Sequence, residues 1–252
     1  MTVQEQHIDF KRKLNKIDSA THVNFEVPFI DEYLNEAQEI FIKRRIQTNN
    51  IYRVGFEVTQ KRIEDLREIV AKCPTDIAPI ALTEIDTNVY QADLPENYLY
   101  YIRGNVTCTK GSCNKELGCI VQQHDDLNNV LGSMFYSPSF EWGELPITFS
   151  KDKIYVYSDG TFTPEFLLID YIRRPLRIAN PDAYIDQLGN TGYLLPVRDA
   201  FGNFIPAVQQ DCELQSMYVC REIVDIAVEL AHMDLGDPKH QLSSYKNKIY
   251  NE

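Results

Sequence analysis

Cys108, Cys113, Cys119 and His124 form a metal-like string, with four, five and four residues between successive members. Thiolates and imidazoles are the ligands zinc prefers, four of them in a tetrahedron. Structural zinc sites usually draw on tighter cysteine pairs, about two to four residues apart on a turn. Here Cys108 and Cys119 fall inside stretches that read as strands. Free thiols are the expectation. A metal-binding or nucleic-acid-processing module built on these four residues is the alternative reading.

Glu229 and His232 stand three residues apart, the spacing that di-iron helical bundles use. Such sites need a second copy of the pair and two further glutamates, and the sequence has no second copy, so a solvated helix face is expected. Asp125-Asp126 after His124 reads as a helix cap and first turn. Arg173, Arg174 and Arg177 read as a surface ion-pair or subunit contact. Lys110-Gly111-Ser112 lacks the glycine loop of a phosphate cradle, and no nucleophile elbow, dinucleotide fingerprint or zincin helix occurs. No residue is assigned a catalytic, cofactor-binding or metal role.

Composition narrows the classes further. The 252 residues carry a net charge of −12, which disfavours gripping a nucleic-acid backbone. It does not disfavour DNA passing nearby, because an acidic wall repels phosphates and lets them slide. No run approaches the roughly 18 apolar residues of a membrane span. The first residues, MTVQEQHIDFKRKLNKIDS, lack the apolar core of a secretory signal. The six cysteines are therefore expected as reduced thiols, and the Asn105-Val106-Thr107 sequon as chance.

The elements that would carry any site follow from periodicity. Residues 1–26 open with Lys11, Arg12, Lys13 and Lys16 and read as a helix or an arm; assigned as an N-terminal arm, they are either a fraying terminus or a segment that orders on a neighbour. A helix begins near Pro28, with Ile30, Tyr33, Leu34, Ala37 and Phe41 at helical spacing, and ends at Asn49-Asn50. A second helix is predicted from Thr59 to Lys72, with Phe56, Ile63, Leu66 and Val70 as its apolar side and Pro74 as its stop. Residues 76–178 change to Tyr, Ile, Val and Thr. Strands are predicted near 80–90, 98–108 and 117–123, then a three-strand meander over 146–150, 153–158 and 165–173. Ser158-Asp159-Gly160-Thr161 is predicted as a hairpin turn within it. Tyr155 and Tyr157 alternate with Ile154 and Val156, which puts core on one face and tyrosines on the other. A short helix capped by Asp125 or Asp126 is expected over 125–134.

Residues 179–210 are rich in Gly, Pro, Asn and Asp and read as a long loop or arm. Asp211 is predicted to cap a last long helix with Met217, Cys220, Val224, Ala227, Ala231 and Leu235 on one face. Gly236 would stop it, and Asp237-Pro238 would start another helix lined by Leu242, Tyr245 and Ile249. The fold class is α+β. Segments 27–75 and 211–252 are expected to form a helical bundle, with an antiparallel strand-rich domain at 76–178 inserted into it.

With these elements in place, a family resemblance emerges. It is carried by VPFIDEYLNEAQEIFIKRRI (27–46), RIEDLREIV (62–70), LPENYLYYIRG (94–104), QHDDLNNVLGSMFYSPSFEWGELP (123–146), FLLIDYIRRPLRI (166–178) and DCELQSMYVCREIVDIAVELA (211–231). Together these resemble the head-to-tail connector proteins of tailed bacteriophages, in particular the ring proteins of crAss-like phages. The resemblance implies a structural virion protein and no enzyme. It implies a homo-oligomeric ring, commonly a dodecamer, between portal and tail. Its partners would be the portal, the adjacent neck and tail proteins, and genomic DNA that passes without tight binding. Neither a membrane nor a cofactor belongs to that picture. The chain would reside in the virion neck after assembly in the bacterial cytoplasm. Cys108–Cys119 lies outside the matching pattern.

Overall fold

The computed structural model describes residues 1–14, 25–46, 60–186, 189–198, 203–214 and 216–235. The chain is α+β and divides into two compact units. One, helical, takes residues 1–68 and 175–252. The other, strand-rich, takes residues 69–174.

In the helical unit, α1 (Val3–Leu14) and α2 (Val27–Ile46) both pack on α5 (Met217–Asp234). Of the helix and the arm that the first residues allow, Val3–Leu14 form the helix. Val3, Phe10 and Leu14 recur at helical spacing and are buried, so a seam of apolar side chains outweighs the basic Lys11–Lys13 run. Asp211 caps this helix rather than α5: its carboxylate accepts the Val3 amide at 2.7 Å, satisfying an N–H that the first turn leaves orphaned. Helix α5 starts later, after Ser216.

Helix α2 buries Ile30, Leu34, Ala37 and Phe41 as predicted from their spacing, while Tyr33 is half-buried. Helix α5 buries more than one stripe, with Ile223, Val224, Ile226, Ala227, Val228 and Ala231 all inside. Of the six residues predicted to share its apolar face, Met217 and the C-cap Leu235 are exposed. The Asn49-Asn50 stop, Phe56, Thr59, Gly236 and the predicted helix after Asp237-Pro238 lie outside the described residues.

The predicted second helix is shorter than its periodicity suggests. It comprises α3 (Gln60–Leu66) and a 3₁₀ turn at Arg67–Ile69, after which Val70–Ala71 become β1. Sheet pairing takes over there: Val70 and Ala71 oppose Ile172 and Tyr171. The buried side of α3 is Arg62 and Leu66, and Ile63 is exposed.

The strand unit continues through β2 (Ile80–Ala81), β3 (Thr83–Asp86), β4 (Val89–Asp93), β5 (Tyr98–Lys110) and β6 (Cys113–Val121). After α4 (Leu127–Leu131) come β7 (Glu144–Ser150), β8 (Lys153–Tyr157) and β9 (Thr163–Arg173). Their order in the sheet is β1-β9-β5-β6-β7-β8-β4-β3, with β2 also paired to β9. The three-strand meander is therefore not formed. Strands β7 and β8 make a hairpin across Lys151-Asp152, but β8 then pairs with β4, and β9 pairs with β5. Asp159-Gly160 turns the chain between strands that are not neighbours. Gly160 has φ +81° there, and Asp159 holds the Thr161 amide at 2.8 Å.

The sheet is mixed rather than antiparallel throughout, because β6 and β7 run parallel. Parallel neighbours need a long crossover, and residues 122–143 supply it. Tyr90 on β4 and Leu167 and Ile169 on β9 share one apolar cluster although four strands separate β4 from β9, so the sheet curls around its core. Ile154 and Val156 are buried and Tyr155 and Tyr157 half-exposed, as alternation requires. Tyr90 and Tyr171 instead join the core.

Residues 179–210, expected as a bare loop, contain a 3₁₀ turn at Pro181–Ala183 and a small hairpin of β10 (Leu194–Arg198) and β11 (Phe204–Pro206). Among the described residues, no helix is long and apolar enough to cross a membrane.

Candidate interaction surface

Three polar residues on the buried side of α2 organise the helical unit. Asp31, Gln38 and Arg45 recur every seven residues, so they line one stripe of the helix, and all three are buried. A buried polar group needs partners, and each has them. The Asp31 carboxylate lies 2.6 Å from His7 Nε2 on α1, accepts the Asn180 amide at 2.9 Å and accepts the Tyr193 hydroxyl. Burial, and then that carboxylate, raise the pKa of the Tyr193 phenol. Gln38 donates to the Leu176 carbonyl at 3.2 Å and accepts from the Cys212 thiol at 3.3 Å.

Arg45 forks onto both oxygens of Glu222 at 2.8 and 2.7 Å and reaches Asp65 at 3.0 Å. Its guanidinium also lies 4.5 Å from the centre of the Phe41 ring. Burial pushes the Glu222 carboxyl up to about 7, against the pull of Arg45. This stripe ties α1, α3, α5 and the 176–193 segment to one helix. It was missed by sequence reasoning, which followed apolar residues only. The signal available was polar side chains recurring beside Ile30, Leu34 and Phe41.

The cysteine–histidine string does not converge. Cys113 is exposed next to the Gly111-Ser112 turn of the β5–β6 hairpin, and Cys108 is buried opposite Lys115. Cys119 sits farther along β6, and His124 is exposed with Nε2 2.9 Å from the Phe149 carbonyl oxygen. Burial pushes the Cys108 and Cys119 thiols up to about 12, which disfavours the thiolate a metal needs. Among the described residues, no group of three or more His, Cys, Asp or Glu is placed to hold a metal ion.

Glu229 and His232 are not on a solvated face: both are buried on α5. Asp126 precedes α4 in the cap position without a side-chain cap bond. Of the basic cluster, Arg173 and Arg174 belong to the strand unit. Arg177 belongs to the helical unit, where it lines a cleft with Asp31 and Tyr193.

The strand unit carries a conspicuous surface feature on the β6–β7 crossover. Met134, Phe135, Tyr136 and Trp142 are 90, 72, 72 and 73% exposed, a density of large apolar side chains unusual for a free surface. The base of this loop is fixed. Pro138 is buried, Phe140 packs on Phe162 with ring centres 5.8 Å apart, and Lys115 Nζ donates to the carbonyls of Phe140 and Glu141, each at 3.2 Å. Gly143 bonds back to Ser139, and Gly118 donates to the Gly143 carbonyl at 2.8 Å. A fixed base that displays aromatics limits the ordering entropy lost on contact, which is how hot-spot residues are commonly presented. Residues 116–150 also contain Glu116, Asp125, Asp126, Glu141 and Glu144 and no Lys or Arg. The loop thus displays exposed aromatic side chains beside exposed carboxylates, over a base that Lys115 holds.

No family model matches the chain, and no curated protein matches it.

Proposed function

We propose that this chain is a structural subunit of the neck of a tailed bacteriophage, a connector that assembles into a ring between portal and tail. The observation that carries the reading is the ordered series of stretches from Val27 to Ala231 that resembles the connector ring proteins. In this reading the terminal helices form a bundle into which the strand unit is inserted. The bundle is the fixed part of the subunit, and the excursions make the contacts. The polar stripe of α2 supports this division of labour, because it fastens segments from both ends of the chain to one helix. The aromatic loop at 134–142 supports it too, since a lone soluble domain gains nothing from displaying such a surface.

The ring, commonly a dodecamer, stacks on the portal, meets the adjacent neck and tail proteins and forms part of the DNA channel. A net charge of −12 suits DNA that passes without being held. The role is structural, in the virion neck after assembly in the host bacterial cytoplasm, and uses no catalytic residue and no cofactor. Mass spectrometry of purified tailed particles tests it. The chain should co-purify with portal and tail proteins in a constant ratio, and its restriction to the soluble lysate would refute the reading.

A further inference from the structure

We propose that Cys212 and Cys220 form an oxidation site, a dithiol that hydrogen peroxide closes to a disulfide inside the helical unit, with the Gln6 amide placed to stabilise the attacking thiolate. The proposal goes beyond the connector reading and does not rest on it. Both cysteines are buried. Their sulfurs converge on one atom, the Leu214 carbonyl oxygen, 3.8 Å from Cys212 Sγ and 3.1 Å from Cys220 Sγ. Cys212 directly follows Asp211, the cap of α1. Cys220 lies in the first turn of α5, where its amide donates to the Ser216 carbonyl at 2.9 Å. Thiolates are favoured at helix N-termini.

Gln6 on α1 is the second observation. It is fully buried, and neither Nε2 nor Oε1 has a hydrogen-bond partner among the described residues. A buried amide without partners is costly, and this one lies close enough to the two sulfurs to favour their thiolate forms. The two cysteines are not equivalent. Hydrogen bonding from Cys212 lowers the Cys220 thiol to about 7, whereas that bond and then burial raise Cys212. Cys220 is therefore the nucleophile and Cys212 the resolving thiol. The Cys220 thiolate attacks one peroxide oxygen, the O–O bond breaks, and the departing hydroxide takes up the Cys220 proton as water. Cys220 is now a sulfenic acid. The Cys212 sulfur attacks the Cys220 sulfur, the S–O bond breaks, and the second hydroxide leaves with the Cys212 proton as water. The sulfurs give up two electrons in all, and one peroxide is reduced to two waters. Cys108 and Cys119, pushed up by burial to about 12, lack the thiolate that starts this sequence.

The test uses the full chain, folded and reduced, with hydrogen peroxide as the oxidant. The chain should lose two of its six thiols, and peptide mapping by mass spectrometry should find Cys212 joined to Cys220, lighter by two hydrogens. Dithiothreitol should return both thiols. Cys212→Ser should stop the reaction at a Cys220 sulfenic acid that dimedone traps, and Cys220→Ser should leave Cys212 a thiol. Gln6→Leu, with a helical signal like the wild type, should slow iodoacetamide alkylation of Cys220 at least about tenfold, because a hydrogen bond to a charged group is lost. Alkylation of the exposed Cys113 in that variant should be unchanged. Any of three results overturns the proposal: Cys212 and Cys220 both still thiols, either one linked to a different cysteine, or a linkage that forms only in denaturant. Alkylation of Cys220 at the wild-type rate in Gln6→Leu would overturn the part given to Gln6.

Discussion

Replacing Arg45 with methionine removes the guanidinium that two carboxylates share in the helical unit. The Arg45 and Glu222 side chains are only 3 and 10% exposed, and the Asp65 side chain 13%. Methionine fills much of the volume but leaves Glu222 buried and unpaired, a change that costs about 3–5 kcal/mol when one member of a buried pair is lost. The loss should depend on pH. In the folded protein the Glu222 carboxyl titrates near 7, above its ordinary 4.5, because burial outweighs Arg45. A raised folded-state value means that this group stabilises the fold fully below about 4.5, and that the contribution disappears as pH rises through about 7. Without Arg45 the folded-state value climbs further. The R45M penalty should therefore be greatest at pH 8 and smaller by roughly 1–2 kcal/mol at pH 5. The pair R45M/E222L removes both charges and should recover at least about half of the pH 8 loss. Denaturant titration followed by the far-ultraviolet helical signal measures all of these with linear extrapolation. A penalty equal at pH 5 and pH 8, or a double variant as unstable as R45M, would refute the reasoning.

Gly160→Ala should destabilise the strand unit by about 1–2 kcal/mol in the same titration, since L-residues resist positive φ. The added Cβ would also meet the Asn88 side chain at 2.8 Å. Asp211→Ala should cost about 0.5–2 kcal/mol by uncapping α1, and Asp211→Asn should restore most of it, because amide and carboxylate oxygens cap similarly. Cys113→Ala and a chelator should each leave the melting temperature unchanged, with no stoichiometric zinc by elemental analysis. Zinc that is lost with Cys113 would instead favour the metal-binding alternative.

Much of the strand unit was legible because alternation is local. Ile154, Tyr155, Val156 and Tyr157 announce their faces without reference to any partner. Pairing is not local, and the errors sit there. Asp159-Gly160 has the chemistry of a hairpin turn, yet β8 finds β4 and β9 finds β5, partners that lie far away in the sequence. Val70–Ala71 follow a helical pattern until Tyr171 and Ile172 offer backbone partners.

Helix α1 was obscured by Lys11–Lys13, whose charges sit on one side while Val3, Phe10 and Leu14 seal the other. Glu229 and His232 looked solvated because a single helix stripe was assumed, whereas α5 is enclosed on several sides. The aromatic loop follows no period. Its signal was an apolar run, Met134-Phe135-Tyr136, set among the Ser, Pro and Gly of a turn sequence. Phe140 joins the core while Trp142 faces water, a difference that only the fold reveals.

The most direct test is a map of the neck of the tailed particle by electron cryo-microscopy, at a resolution that distinguishes helices from strands. The connector proposal predicts a ring of identical densities between portal and tail, into which the helical unit and the nine-stranded sheet can each be placed. A neck whose rings are all accounted for by other chains would contradict it.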